Sequence, residues 1–165
     1  MPTPGVLTFP NPLNEKAART VAAGVVVLAA LVLVTQWSWL LVLLAYGFVA
    51  RVLTGPTLSP LGQLATRVVA PRLGVPKPVA GPPKRFAQGI GAAVTVTAVV
   101  LWLGFHLMTA ALALVAVIAL AAALESVFAF CVGCRVFAAL MRVGVIPAAT
   151  CEACDDISLR REATS

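Results

Sequence analysis

Apolar residues run along this chain in four blocks, and polar residues collect between them. Residues 17–35 read AARTVAAGVVVLAALVLVT, and a second block follows at 37–53 after Gln36. A third covers 86–105 and a fourth 108–130. A helix rises about 1.5 Å per residue, so roughly 20 residues cross a bilayer core. The second block is short and spans with modest mismatch. The spacing predicts four membrane-spanning helices in two hairpins, with bends at Gln36 and around His106. A signal peptide competes for the first block, because Lys16 and Arg19 at its start could form the charged n-region. No small-residue cleavage site follows, and the next apolar run starts at once.

Between the second and third blocks the pattern changes. Leu58, Leu61, Leu64, Ala65, Val68 and Val69 recur at helical spacing with Gln63, Thr66 and Arg67 among them. That predicts an amphipathic helix lying on the membrane face. The stretch from Pro71 to Arg85 is rich in proline and predicts an extended loop. After Phe130 an amphipathic segment runs through Met141 and breaks at Gly144 and Pro147. The domain plan is a flexible arm over 1–16, a membrane domain over 17–147, and a cytoplasmic cysteine-bearing tail over 148–165. A shift of 70 residues lays Arg72-Leu73-Gly74-Val75 on Arg142-Val143-Gly144-Val145, and each half then has the same order of elements. The fold expectation is all-α and membrane-embedded, with a parallel repeat of two hairpins, each followed by a cytoplasmic amphipathic helix.

Composition sharpens this. The chain is 61% hydrophobic and 11% charged, far from the ~25% charged residues of a soluble domain. That excludes an ordinary soluble enzyme and a disordered protein. The net charge of +6 does not point to nucleic acid. The Lys and Arg residues stand at 16, 19, 51, 67, 72, 77, 84, 85, 135, 142, 160 and 161, all on one side of a four-span plan. The positive-inside rule puts that side, and both termini, in the cytoplasm. Trp37, Trp39 and Trp102 gather near the opposite face, as interfacial tryptophans do.

Four segments carry a family resemblance. They are Ser59-Pro60-Leu61-Gly62, Arg67-Val68-Val69-Ala70-Pro71-Arg72-Leu73-Gly74, Pro82-Pro83-Lys84-Arg85-Phe86-Ala87-Gln88 and Phe128-Ala129-Phe130-Cys131-Val132-Gly133-Cys134. The chain from about Pro12 to Met141 resembles a family of bacterial membrane proteins called domain of unknown function 4395. The resemblance implies a small four-span protein of the bacterial inner (plasma) membrane with a Phe-Cys-x-Gly-Cys segment after the last span. It also implies a neighbourhood of sulfur-transfer and thioredoxin-like proteins, and assigns no activity. The family tends to carry Asn where this chain has Glu125. The tail with Cys151 and Cys154 lies outside the shared region.

The candidate chemistry is in the cysteines. Cys131 and Cys134 fall at the start of a helix, where backbone amides acidify a thiol, and Arg135 adds positive charge. The shifted counterpart, Leu61 to Leu64, has no cysteine, so the scaffold does not require thiols there. Cys151 and Cys154 stand beside Asp155 and Asp156, which disfavour thiolate. Two readings compete. In one, Cys131 and Cys134 form a catalytic redox dithiol served by a cytoplasmic thioredoxin-like or sulfurtransferase protein, and Cys151 and Cys154 relay electrons or sulfane sulfur, since cytoplasmic disulfides are usually transient. In the other, Cys131, Cys134, Cys151 and Cys154 clamp structural zinc, because C-x2-C-x16-C-x2-C suits four-thiolate ligation. Inert packing cysteines are the plain alternative. A transporter would need to dimerise.

Three further features bear on the chemistry. Glu125 is six residues before Cys131, about 9 Å deeper on a continuous helix. An intramembrane acid is functional by default, or else snorkels to the nearby cytoplasmic face or bonds a neighbouring helix. Helical phase puts it opposite Cys134, so acid–thiol pairing requires the helix to break. His106, the single histidine, falls on the outer turn, away from the cysteines. Gly89-Ile90-Gly91 is preceded by no strand and is not a nucleotide loop; with Ala87 it reads as a small-residue helix contact.

Overall fold

The computed structural model describes Phe9 and residues 11–151. Four long helices dominate: α1 (Glu15–Thr35), α2 (Ser38–Thr54), α5 (Gly81–Val99) and α6 (Met108–Phe128). The last turns of the third long helix widen into a π-helical stretch, Val100–Gly104. Three of them, Glu15–Thr35, Gly81–Gly104 and Met108–Phe128, are long and apolar enough to cross a membrane; Ser38–Thr54 is apolar but shorter. Their boundaries lie close to the four apolar blocks.

Two boundaries differ from expectation. The third helix starts at Gly81, five residues before Phe86, with Pro82 and Pro83 inside its first turn. Proline is tolerated there because first-turn amides lack intrahelical partners anyway. The fourth ends at Phe128, because Ala129 turns left-handed (φ 55°). The expected free arm over 1–16 is fixed at its end: β1 (Leu13–Asn14) pairs antiparallel with β2 (Pro78–Val79), and Glu15 bonds Lys77 through both backbone and side chain. Asn14 caps α1, its side chain accepting from the Lys16 amide at 3.0 Å.

The helices form a ring in the order α1, α2, α5, α6, and each is antiparallel to its neighbours. The expected hairpin partners touch, but the most extensive packing is between α1 and α6 and between α2 and α5. The core is small: Leu41, Leu44, Val32 and Val115 are its largest fully buried apolar side chains, with Ala29, Ala98 and Ala111 between them. Large apolar side chains cover the outside, among them Val34, Val27, Val117 and Leu120. An apolar exterior of this extent requires a nonaqueous cover.

The amphipathic stretch after α2 is a broken helix. It comprises α3 (Pro60–Gln63), a π-helical Leu64–Val69 and α4 (Ala70–Arg72). It folds back on α1, where Gly24 leaves room for Leu61. The matching element after α6 is α7 (Val132–Arg142), which folds back on α5. Left-handed residues recur 70 positions apart, at Gln36 and His106 and again at Gly74 and Gly144.

Candidate functional site

The site is built where α6 stops. No glycine or proline ends that helix. Instead Ala129 takes the left-handed conformation and its amide bonds the Leu124 carbonyl. The chain then runs extended through Cys131, whose Sγ accepts from the Cys134 amide at 3.3 Å and so caps α7. Cys131 and Cys134 stand at disulfide-bonding distance, with Cα atoms 5.2 Å apart. The expected placement, two thiols at a helix start just after the last apolar helix, is what the structure has. Cys131 is buried and Cys134 half-buried.

Contacts from α5 hold this turn. A Cβ at Gly133 would stand 2.6 Å from the Ala87 Cα, so only glycine lets α7 approach so closely. Phe86 and Phe137 then meet edge to face, with centroids 5.5 Å apart. Arg135 lies over the Phe130 ring, 5.2 Å from its centroid. An open cleft of about 600 Å³ leads to both cysteines, bordered by Glu15, Lys77, Lys84, Phe130 and Arg135. The expected small-residue contact on α5 is real but divided: Ala87 meets α7, whereas Gly91 abuts the Phe48 ring of α2.

Glu125 does not pair with a thiol. It forms an ion pair with Lys84 of α5, both side chains being largely buried. The helix does break between Glu125 and the cysteines, yet the carboxylate turns to the neighbouring helix. Sequence reading misses this partner because it is 41 residues away.

Sequence reading misses a second feature as well. In the sequence Arg51 looks like one more loop cation, but at the end of α2 it is only 5% exposed. Its Nε donates to Gln88 Oε1 at 2.9 Å and its Nη1 to Ser59 Oγ at 3.3 Å. The guanidinium lies over Phe48, 4.7 Å from the ring centroid. Nη2 is buried with no partner among the described residues.

Of the second cysteine pair, Cys154 lies outside the described residues and only the backbone of Cys151 is described, in a closing 3-10 turn, Ala148–Cys151. The four-cysteine zinc site therefore falls outside what the structure describes. Among the described residues no three His, Cys, Asp or Glu side chains converge. His106 takes a left-handed turn conformation between the third and fourth long helices, at the far end from the cysteines.

No curated protein and no solved structure matches the chain. A family profile does: the one described as Domain of unknown function (DUF4395) matches residues 13–142. That match takes in every long helix, the broken helix over 60–72, the cysteine turn and α7, and this chain belongs to the DUF4395 family.

Proposed function

We propose that the chain is a four-span protein of the bacterial plasma membrane, with both termini in the cytoplasm. In this reading Cys131 and Cys134 exchange electrons or sulfane sulfur with a cytoplasmic thioredoxin-like or sulfurtransferase protein. The observation that carries it is the cap: Cys131 Sγ accepts the Cys134 amide at the first turn of α7 while standing within bonding distance of Cys134. The common helix-end placement of Arg19, Arg51, Lys84 and Arg85 supports the orientation. The recurrence of left-handed residues at a 70-residue interval supports a parallel repeat.

The two sulfurs have different tasks. Cys134 is the more accessible, so a partner thiolate attacks its Sγ. The bond between Cys134 and Cys131 breaks, and Cys131 leaves as a thiolate held by the amides of α7. The partner's second thiolate then attacks the partner sulfur of the mixed disulfide and expels the Cys134 thiolate. Two electrons pass from the partner dithiol to the pair, and the partner ends as a disulfide. A persulfide donor uses the same thiols: a cysteine thiolate takes its terminal sulfur, and the donor leaves as a thiolate.

The test is a redox titration of the purified protein, followed by incubation of its oxidised form with a thioredoxin lacking its resolving cysteine. A reversible two-electron couple and an adduct on Cys134 are expected. A pair that stays reduced under mild oxidant, or never forms the adduct, overturns the reading. Reporters fused at His106 and after Ser165 test the topology: the first should be external and the second cytoplasmic, and either opposite result overturns it.

A further inference from the structure

Arg51 is bonded on two of its three nitrogens and open on the third. The bonds of Nε to Gln88 and of Nη1 to Ser59 fix the guanidinium between α2, α5 and the start of α3. The residue is buried, so water does not solvate it freely. A buried donor left without an acceptor costs about 1–3 kcal/mol, and more for a charged group. Charge makes the same point. Lys84 is also buried, and Glu125 pairs with it. Among the described residues, two buried cations therefore share one carboxylate, and burying an uncompensated charge is strongly unfavourable.

Arg51 lines more than one cavity. Arg51 forms part of the wall of a pocket of about 40 Å³, together with Lys84, Gln88, Thr66, Gly55 and Gly62. One water needs roughly 10–15 Å³ on the same measure, so the pocket takes a group of a few heavy atoms. Its walls are apolar apart from Arg51, Lys84, Gln88 and Thr66. Arginine is suited to the acceptor that is missing, because its planar fork matches an oxyanion.

We propose that this pocket, between the end of α2, the start of α5 and the broken helix over 60–72, binds a phosphate-type oxyanion on Arg51, with Lys84 as the second cation. The chemistry is shared by free inorganic phosphate and by the phosphodiester of an anionic lipid. The site shares Lys84 with the cleft beside the Cys131–Cys134 pair, and it does not depend on the redox reading.

The experiment uses the full chain in dodecyl maltoside, stripped of lipid until phosphorus analysis is blank. One arm adds inorganic phosphate, and the other adds dioleoylphosphatidylglycerol as mixed micelles. Thermal unfolding should rise saturably by roughly 5 °C at a hundredfold excess over Kd in at least one arm. Arg51→Met should abolish the rise, and Arg51→Lys should weaken it several-fold. A rise in the phosphate arm identifies a free ion as sufficient, and a rise confined to the lipid arm identifies the headgroup. Should Arg51→Met fail to fold, phosphorus NMR of the parent protein serves instead: inorganic phosphate should broaden on addition of protein, and sulfate should reverse it. No saturable response in either arm, or an equal response in Arg51→Met, overturns the proposal.

Discussion

Arg19 and Arg85 hold matching posts. Each is the fifth residue of its helix, and each donates to the carbonyl two residues before the end of the helix it crosses, Ser126 for Arg19 and Val52 for Arg85. Helix ends expose unpaired carbonyls and carry partial negative charge, so a guanidinium there serves as acceptor-side cap and as counter-charge. The two are not equal. Arg19 makes three such bonds, adding Val127, and is partly buried; Arg85 makes one from an exposed position.

Substitution should expose that difference. Arg19→Met should cost about 1.5–3 kcal/mol, in the range of hydrogen bonds to charged groups, and Arg85→Met less than about 1. Unfolding in mixed detergent micelles measures both. An Arg85→Met loss equal to or larger than that of Arg19→Met would contradict the assignment.

Three glycines make a graded series on the packing of α5. Gly89→Ala meets nothing within 4 Å and should be neutral or slightly stabilising, by up to about 1 kcal/mol of helix propensity. Gly91→Ala must push the Phe48 ring, and Gly133→Ala must push the backbone of Ala87. Overpacking of this kind costs about 1–3 kcal/mol. Gly133→Ala should also detach α7, read as faster protease cleavage after Arg135. Unchanged cleavage in that variant would argue against the close α5–α7 contact.

The Lys84–Glu125 pair should obey the rule for buried ions. Removing one member, by Lys84→Met or Glu125→Leu, should cost roughly 3–5 kcal/mol, because the other charge is stranded. The double variant should recover most of that loss. A double-mutant cycle without coupling would show that the pair is not shielded from water.

The four cysteines can be separated by their coupling. If all four hold zinc, Cys134→Ala and Cys154→Ala should lose metal alike and loosen the tail alike, and chelator should reproduce the effect on the parent. If the pairs are independent, Cys154→Ala should leave the Cys131–Cys134 disulfide able to form. Metal content, tail proteolysis and disulfide state, measured together, distinguish these outcomes.

Much of the fold is legible in the sequence because apolar blocks and helical periodicity are local signals. The four helices, the amphipathic stretch around Leu61 to Val69 and the cysteines at a helix start all come from spacing. Pro82 and Pro83 mislead, since proline signals both a broken helix and a first turn, and only the structure tells which. Asn14 before an apolar run is an available cap signal. Lys84 with Glu125, and Arg51 with Gln88 and Ser59, cannot be read. Lys84–Glu125 and Arg51–Gln88 join distant segments, and a positive charge near a helix end looks the same whether it faces water or is enclosed.

The two halves differ most at the end that matters for the thiols. α2 and α6 begin at equivalent positions, but α2 has 17 residues and α6 has 21. One added helical turn displaces the next segment by about 6 Å along the axis, close to the depth of a single headgroup layer. Ser59 caps the short helix after α2 as Cys131 caps the one after α6. The extra turn therefore carries the segment that leads to Cys131 about 6 Å further along its helix axis than the matching segment that leads to Ser59.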